Sequence, residues 1–169
     1  MWLFMRAAGA LCAGILLTLH AAAQEGVKDR SKLTRPFTVA DAEGSSADVA
    51  QMRGKVVFIN FWSLTCVPCK AEMPGINNMR LHYMADTGLV VMPVDLDRNI
   101  KDDTAYMRKK GMTLPVYVAT GVVPQELFQG ELPTTVVLDR QGNIVFHKEG
   151  RDAYDVPSFY HLIDSLLQQ

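Results

Sequence analysis

Cys66 and Cys69, with Val67 and Pro68 between them, are the residues whose type and spacing most directly promise chemistry. Two thiols two residues apart can close a disulfide within one helical turn. One can then attack a partner's disulfide as a thiolate while the other resolves the mixed disulfide. A purely structural staple would normally close a longer loop, because chain entropy gives a short one little stabilisation. Half of a zinc site is the other familiar use of CxxC, and it needs two further Cys or His ligands. His20 lies in the N-terminal segment, and His82, His147 and His161 are scattered without ligand-like spacing. Thiol–disulfide exchange is therefore the chemistry to position.

Positioning such a pair calls for a rigid strand followed at once by a helix. Val56 to Trp62, VVFINFW, is apolar, β-branched and aromatic, the signature of a central strand buried on both faces. A helix is expected from about Val67 to Met84, with Pro68 in its first turn and Pro74 as a kink. Cys66 then falls at the helix start, where unsatisfied N–H groups and the positive dipole end favour a thiolate. Cys69, one turn in, is expected to be more buried. Val67 and Pro68 restrict the backbone between them and so help set the redox potential.

The rest of the chain supplies a frame. Phe37–Ala40 reads as a strand entering a turn at Asp41–Gly44, and Leu89–Leu96 as a second buried strand. A short helix is expected from Asp103 to Lys110, ending at Gly111, with a short strand at Val116–Ala119 and a helical turn at Pro124–Phe128. Thr134–Leu138, the turn Asp139–Gly142 and Asn143–Lys148 form a hairpin signature. From Val156, the spacing of Phe159, Leu162, Ile163, Leu166 and Leu167 marks one apolar helix face. Strand–helix alternation ending in a hairpin and a helix implies an α/β fold around a mixed sheet.

The 169 residues, 49% hydrophobic and 21% charged, fit one globular domain. A formal charge of −1 offers no basic excess for phosphate neutralisation, so nucleic acid is not an expected partner. Arg6, the apolar run Ala7–Leu19 and the small residues Ala21–Ala23 have the three parts of a secretory signal peptide. We expect residues 1–23 to be that signal, with an uncleaved membrane tether as the alternative. Residues 24–33 are expected to be a flexible lead-in and 34–169 the domain. Loss of Cys12 with the signal leaves an even pair in an oxidising compartment, the periplasm or cell envelope.

The segment from Gly54 to Pro74, GKVVFINFWSLTCVPCKAEMP, resembles the thioredoxin superfamily, and most of all its TlpA/ResA/CcmG branch of exported thiol-disulfide oxidoreductases. Glu131-Leu132-Pro133-Thr134-Thr135, leading into a hydrophobic strand, resembles that family's second hallmark. The resemblance implies a thioredoxin-like fold with a TlpA-type insertion, here Gly88–Gly130, before the cis-proline strand. It implies that Pro133 is cis and faces the cysteine pair, beside backbone that pairs with an extended substrate. Asn60 stands where cytoplasmic thioredoxins carry a buried, proton-moving aspartate. Glu72 matches a glutamate near the disulfide in the ResA-like group. It can be read as a proton-transfer residue or as a solvated first-turn acid that favours the helix.

Thr65 departs from the family, which commonly has Trp immediately before the first cysteine; the smaller residue is expected to open the surface beside Cys66 and alter partner choice. Trp62 reads as core packing before substrate contact. The branch implies reduction of protein disulfides in cytochrome c maturation or copper-site assembly, recharged by a membrane thiol donor of the DsbD/CcdA type. No cofactor is expected, and nothing demands more than a monomer. The competing reading is a metallochaperone holding Cu(I) through the CxxC thiolates, which needs a third soft or imidazole ligand. Thiol-peroxidase chemistry ranks last, since Ile59 stands where such sites carry proline.

Overall fold

Alternation along one strand organises the molecule. In the computed structural model, which describes residues 32–169, Val56–Trp62 forms a strand with every residue buried. Because successive side chains point to opposite faces, Val56, Phe58 and Trp62 enter one core while Val57, Ile59 and Phe61 enter another. Numbered along the chain, the strands are β1 Thr38–Asp41, β2 Ser46–Asp48, β3 Val56–Trp62, β4 Leu89–Asp95, β5 Tyr117–Ala119, β6 Thr134–Leu138 and β7 Ile144–Glu149. The α-helices are α1 Val67–His82, α2 Ile100–Lys109 and α3 Pro157–Leu167.

These strands form one mixed sheet in the order β2-β1-β5-β4-β3-β6-β7. β3 pairs parallel with β4 and antiparallel with β6, and β6 continues antiparallel into β7. β3 thus sits between two paired neighbours and has no free edge to fray. All three helices bury side chains in the first core, among them Met73, Ile76 and Met79 of α1, Met107 of α2, and Phe159, Ile163 and Leu166 of α3. The second core is covered from outside the α-helices, by Leu33, Phe37, Val49 and Leu127 together with partly buried Phe128.

Several boundaries differ from the sequence expectation. The flexible lead-in does not extend to residue 33: Leu33 is fully buried, its N–H donates to the Gly142 carbonyl at 3.0 Å, and Lys32 bridges Asn143. A leucine in a polar run looked isolated in the sequence, but the chain lays it against the second core. The expected signal, residues 1–23, and the rest of the lead-in lie outside the described residues.

α2 begins at Ile100, not Asp103, which places Asp102 and Asp103 in the first turn, where the helix dipole favours acids. α1 ends at His82, and β4 at Asp95. β2 was not expected, since Ser46–Asp48 carries no apolar signal; it forms because β1 offers it a ladder. The Pro124–Phe128 turn is present, with the Leu127 and Phe128 N–H groups donating to the Pro124 carbonyl. Among the described residues, no helix is long and apolar enough to cross a membrane.

Candidate active site

Cys66 ends the short link from β3 and is the N-cap of α1, in extended conformation. Its sulfur is bonded to that of Cys69, with the two Cα atoms 5.3 Å apart. The Cys69 N–H donates to Cys66 Sγ at 3.2 Å, so the cap position that usually holds a Ser, Thr or Asp oxygen is filled by sulfur. Once the disulfide is reduced, that donor and the helix N-terminus favour the anionic form of Cys66. Cys66 is half-buried, whereas Cys69 is fully buried. The outer sulfur can meet a partner and the inner one cannot. Pro68 lies exposed at the start of α1, and Val67 is 71% exposed, which leaves an apolar lip beside the outer sulfur.

Glu72 lies in the second turn of α1, three residues beyond Cys69 and hence on the same helix face. It is not a solvated acid of the first turn: it is only 3% exposed. Period-two alternation puts Asn60 of β3 and Thr135 of β6 on the sheet face that α1 covers, and the two are register partners. Asn60 Nδ2 donates to Glu72 Oε1 at 2.7 Å and to Thr135 Oγ1 at 2.9 Å. The Tyr154 hydroxyl donates to Thr135 Oγ1 at 2.8 Å, and the Asp152 N–H donates to Glu72 Oε2 at 3.2 Å.

Burial opposes the Glu72 carboxylate more strongly than these donors favour it, so the group titrates at about 7 instead of the ordinary 4.5. That displacement corresponds to roughly 3 kcal/mol against the charged form. At neutral pH the side chain is therefore poised between giving and taking a proton. The same environment pushes the Tyr154 hydroxyl well above its usual value, chiefly by burial, and keeps it a donor.

Leu132–Pro133 is a cis peptide, Pro133 is buried, and its carbonyl accepts from the Gly150 N–H at 2.8 Å. Trp62 is fully buried, with its ring 6.1 Å from that of Tyr106, and packs in the first core. Thr65 is exposed, but its hydroxyl turns back to Ser63 Oγ at 2.8 Å, and Ser63 in turn donates to Asp97. The position beside Cys66 is thus open, and the hydroxyl is occupied. Among the described residues no group of three His, Cys, Asp or Glu gathers as a metal site. His147 is half-buried on β7.

Sequence reasoning did not find the backbone of Asp152 as a partner of Glu72, nor Thr135 and Tyr154 in the network behind Asn60, nor a pair of buried acids beside the site. Asp95, opposite Trp62 in the parallel ladder, and Asp103 of α2 are both fully buried. An acid ending the apolar run LVVMPVD was the available signal. Nothing comparable marked Tyr154, which lies in the connection between β7 and α3.

Comparison with known proteins matches residues 32–147 to the AhpC/TSA family. The thiol-disulfide oxidoreductase ResA of Bacillus thuringiensis (strain Al Hakam) is 31% identical over 113 residues, which span 64% of this chain and 63% of that protein. Less than two thirds of that relative is therefore covered. ResA of Bacillus cereus (strain ZK / E33L) is 28% identical over 141 residues, 80% of this chain and 79% of the relative. In three dimensions, a thiol:disulfide interchange protein from Bacteroides sp. superposes with a TM-score of 0.66 at 20% identity, over 85% of this chain and 92% of the other. That likeness establishes the thioredoxin-like fold.

Proposed function

The chain belongs to the AhpC/TSA family, and on that premise we propose that it reduces protein disulfides outside the cytoplasm through Cys66 and Cys69. The protein is a thiol-disulfide oxidoreductase of the thioredoxin type. One observation carries the reading: a half-exposed sulfur caps a helix while its bonded neighbour lies buried one turn deeper.

In the reduced enzyme, Cys66 thiolate attacks one sulfur of a substrate disulfide, forming a mixed disulfide and expelling a substrate thiolate, which takes a proton from solvent. The Cys69 thiol then gives up its proton and attacks Cys66 Sγ. This forms the Cys66–Cys69 bond and releases the second substrate thiol. Two electrons pass to the substrate and the enzyme is left oxidised, the state seen here. Glu72 is the acceptor we assign to the Cys69 proton, since it shares that helix face and titrates near neutrality. Backbone beside Pro133 is the surface assigned to an extended substrate strand. A membrane thiol donor of the DsbD/CcdA type is the source of reducing equivalents in this reading, with cytochrome c maturation or copper-site assembly as the process. In the same reading residues 1–23 direct export to the periplasm or cell envelope.

The test is capture. Cys69→Ser is expected to accumulate mixed disulfides with its partners through Cys66, and Cys66→Ser to abolish turnover of an insulin or peptide disulfide. Recovery of one copper ion per chain, with no mixed disulfide trapped by Cys69→Ser, overturns the reading in favour of a Cu(I) chaperone.

A further inference from the structure

The face of α1 that carries Cys66 continues into a cleft with no part in the thiol chemistry described above. Cys66, Lys70, Pro74 and Asn77 follow one another at intervals of four, four and three residues, which keeps them on one helix face. The Lys70 N–H donates to the Cys66 carbonyl at 3.2 Å, so the cleft begins one turn beyond the nucleophile. Lys70, Pro74 and Asn77 line it from α1, and Tyr106, Lys110 and Met112 close it from the end of α2; its volume is about 300 Å³. Tyr106 also ties it to the site, because its ring packs against Trp62, the last residue of β3.

The lining has a definite chemical bias. No acidic residue is part of it; Asp155 approaches at the rim, where Asn78 Nδ2 donates to it at 3.0 Å. Asn77 is only 7% exposed, and its Oδ1 accepts from the Thr113 N–H at 2.9 Å. That bond fixes the amide and leaves its NH2 as the group offered to the cleft, without a protein partner among the described residues. Held in one orientation, that NH2 is a ready donor to an oxygen entering the cleft. Lys70 and Lys110 both line this space, and they are its only charged residues.

We propose that this cleft recognises a carboxylate in an acidic peptide segment flanking the disulfide of the protein substrate. The assignment rests on the oxidoreductase reading and adds a substrate class to it. The axial rise from Cys66 to Pro74 is ~12 Å at 1.5 Å per residue. An extended chain covers that in about four residues. The matching substrate therefore carries Asp or Glu roughly three to five residues from the cysteine that Cys66 attacks. The cleft's positive bias both steers such a segment and fixes its register along α1.

Three oxidised peptides test this, identical around the disulfide and differing four residues away, where they carry Asp-Glu, Ser-Gln or Lys-Lys. Second-order rate constants for their reduction by the dithiol enzyme are measured at low and high salt. The acidic peptide is expected to react about 5- to 10-fold faster than the neutral one at low salt, with the advantage lost at high salt. Lys110→Glu, at an exposed position, is expected to bring the acidic-to-neutral ratio to 1 or below, and Lys110→Gln to bring it partway. Equal rates for all three peptides with the unaltered enzyme overturn the cleft assignment alone. Failure to reduce even the neutral peptide overturns the oxidoreductase reading instead.

Discussion

Glu72 and Asp103 are both carboxyl groups removed from solvent, 3% and 0% exposed, yet their surroundings differ in kind. Glu72 has a donor on each oxygen, the Asn60 amide on one and the Asp152 N–H on the other. Both oxygens of Asp103 lack a donor among the described protein groups, and its neighbour is another buried acid, Asp95. Burial raises both, Glu72 to about 7 and Asp103 to about 8, with the Asp95 charge adding to the second. The contrast shows what burial decides and what it leaves open. Desolvation sets the direction of each shift, and hydrogen-bond donors decide whether the anion can be held once formed. Glu72 is built to change protonation state. Asp103, with no donor on either oxygen, is held toward its neutral form beside Asp95, whose Oδ2 accepts from the Asn99 N–H at 2.9 Å.

The widest separation between the two is expected in turnover. Glu72→Gln preserves shape and the hydrogen bond to Asn60 but carries no titrating proton. Reduction of a peptide disulfide should slow by about 100-fold, and the inflection near pH 7 should vanish from the rate profile measured between pH 5 and 9. Asp103→Asn should keep that inflection and stay within about twofold of the unaltered rate. An unchanged profile in Glu72→Gln removes the glutamate from the proton path.

A smaller effect should appear in stability. Both groups have folded pKa values above their unfolded ones, so the folded state binds more protons in the intervening range. Their contribution is fully present below about pH 4 and is lost as pH rises through 7 for Glu72 and through 8 for Asp103. Asp103→Asn should remove the upper part of that loss and raise the melting temperature at pH 9 by roughly 3–6 °C, with little change at pH 4. A lower melting temperature at pH 9 would show that the pair stabilises the fold. The smallest expected change belongs to Tyr154→Phe, which removes one hydrogen bond to Thr135 and should cost about 1 kcal/mol in urea unfolding. A loss above about 3 kcal/mol would mark the hydroxyl as more than one link in the network.

Much of the frame was legible because its signals are local. The run Val56–Trp62 is too apolar and β-branched to be anything but a buried strand, and the helix that follows announces itself through Pro68 and the cysteine spacing. The hairpin of β6 and β7 and the apolar face of α3 were legible for the same reason. Signals failed where a residue's role depends on a distant one. Leu33 looked like part of a polar tail until Gly142 held its backbone. Glu72 had two defensible readings, since the sequence does not say which helix face meets the sheet. Ser46–Asp48 has no strand pattern of its own and exists as β2 through pairing.

What the sequence alone determined is the chemistry available: two thiols one turn apart at a strand-to-helix junction, and the order of elements that presents them. Spacing and apolar periodicity are properties of neighbouring residues, so they survive without coordinates. The tertiary structure decided the environment of each group: which sulfur is covered, that Asn60 and the Asp152 backbone meet on Glu72 with Thr135 and Tyr154 behind Asn60, and that two lysines and an amide line one cleft. Those are properties of chain crossings 12 to 80 residues apart, and desolvation and hydrogen bonding act only once the crossings are made.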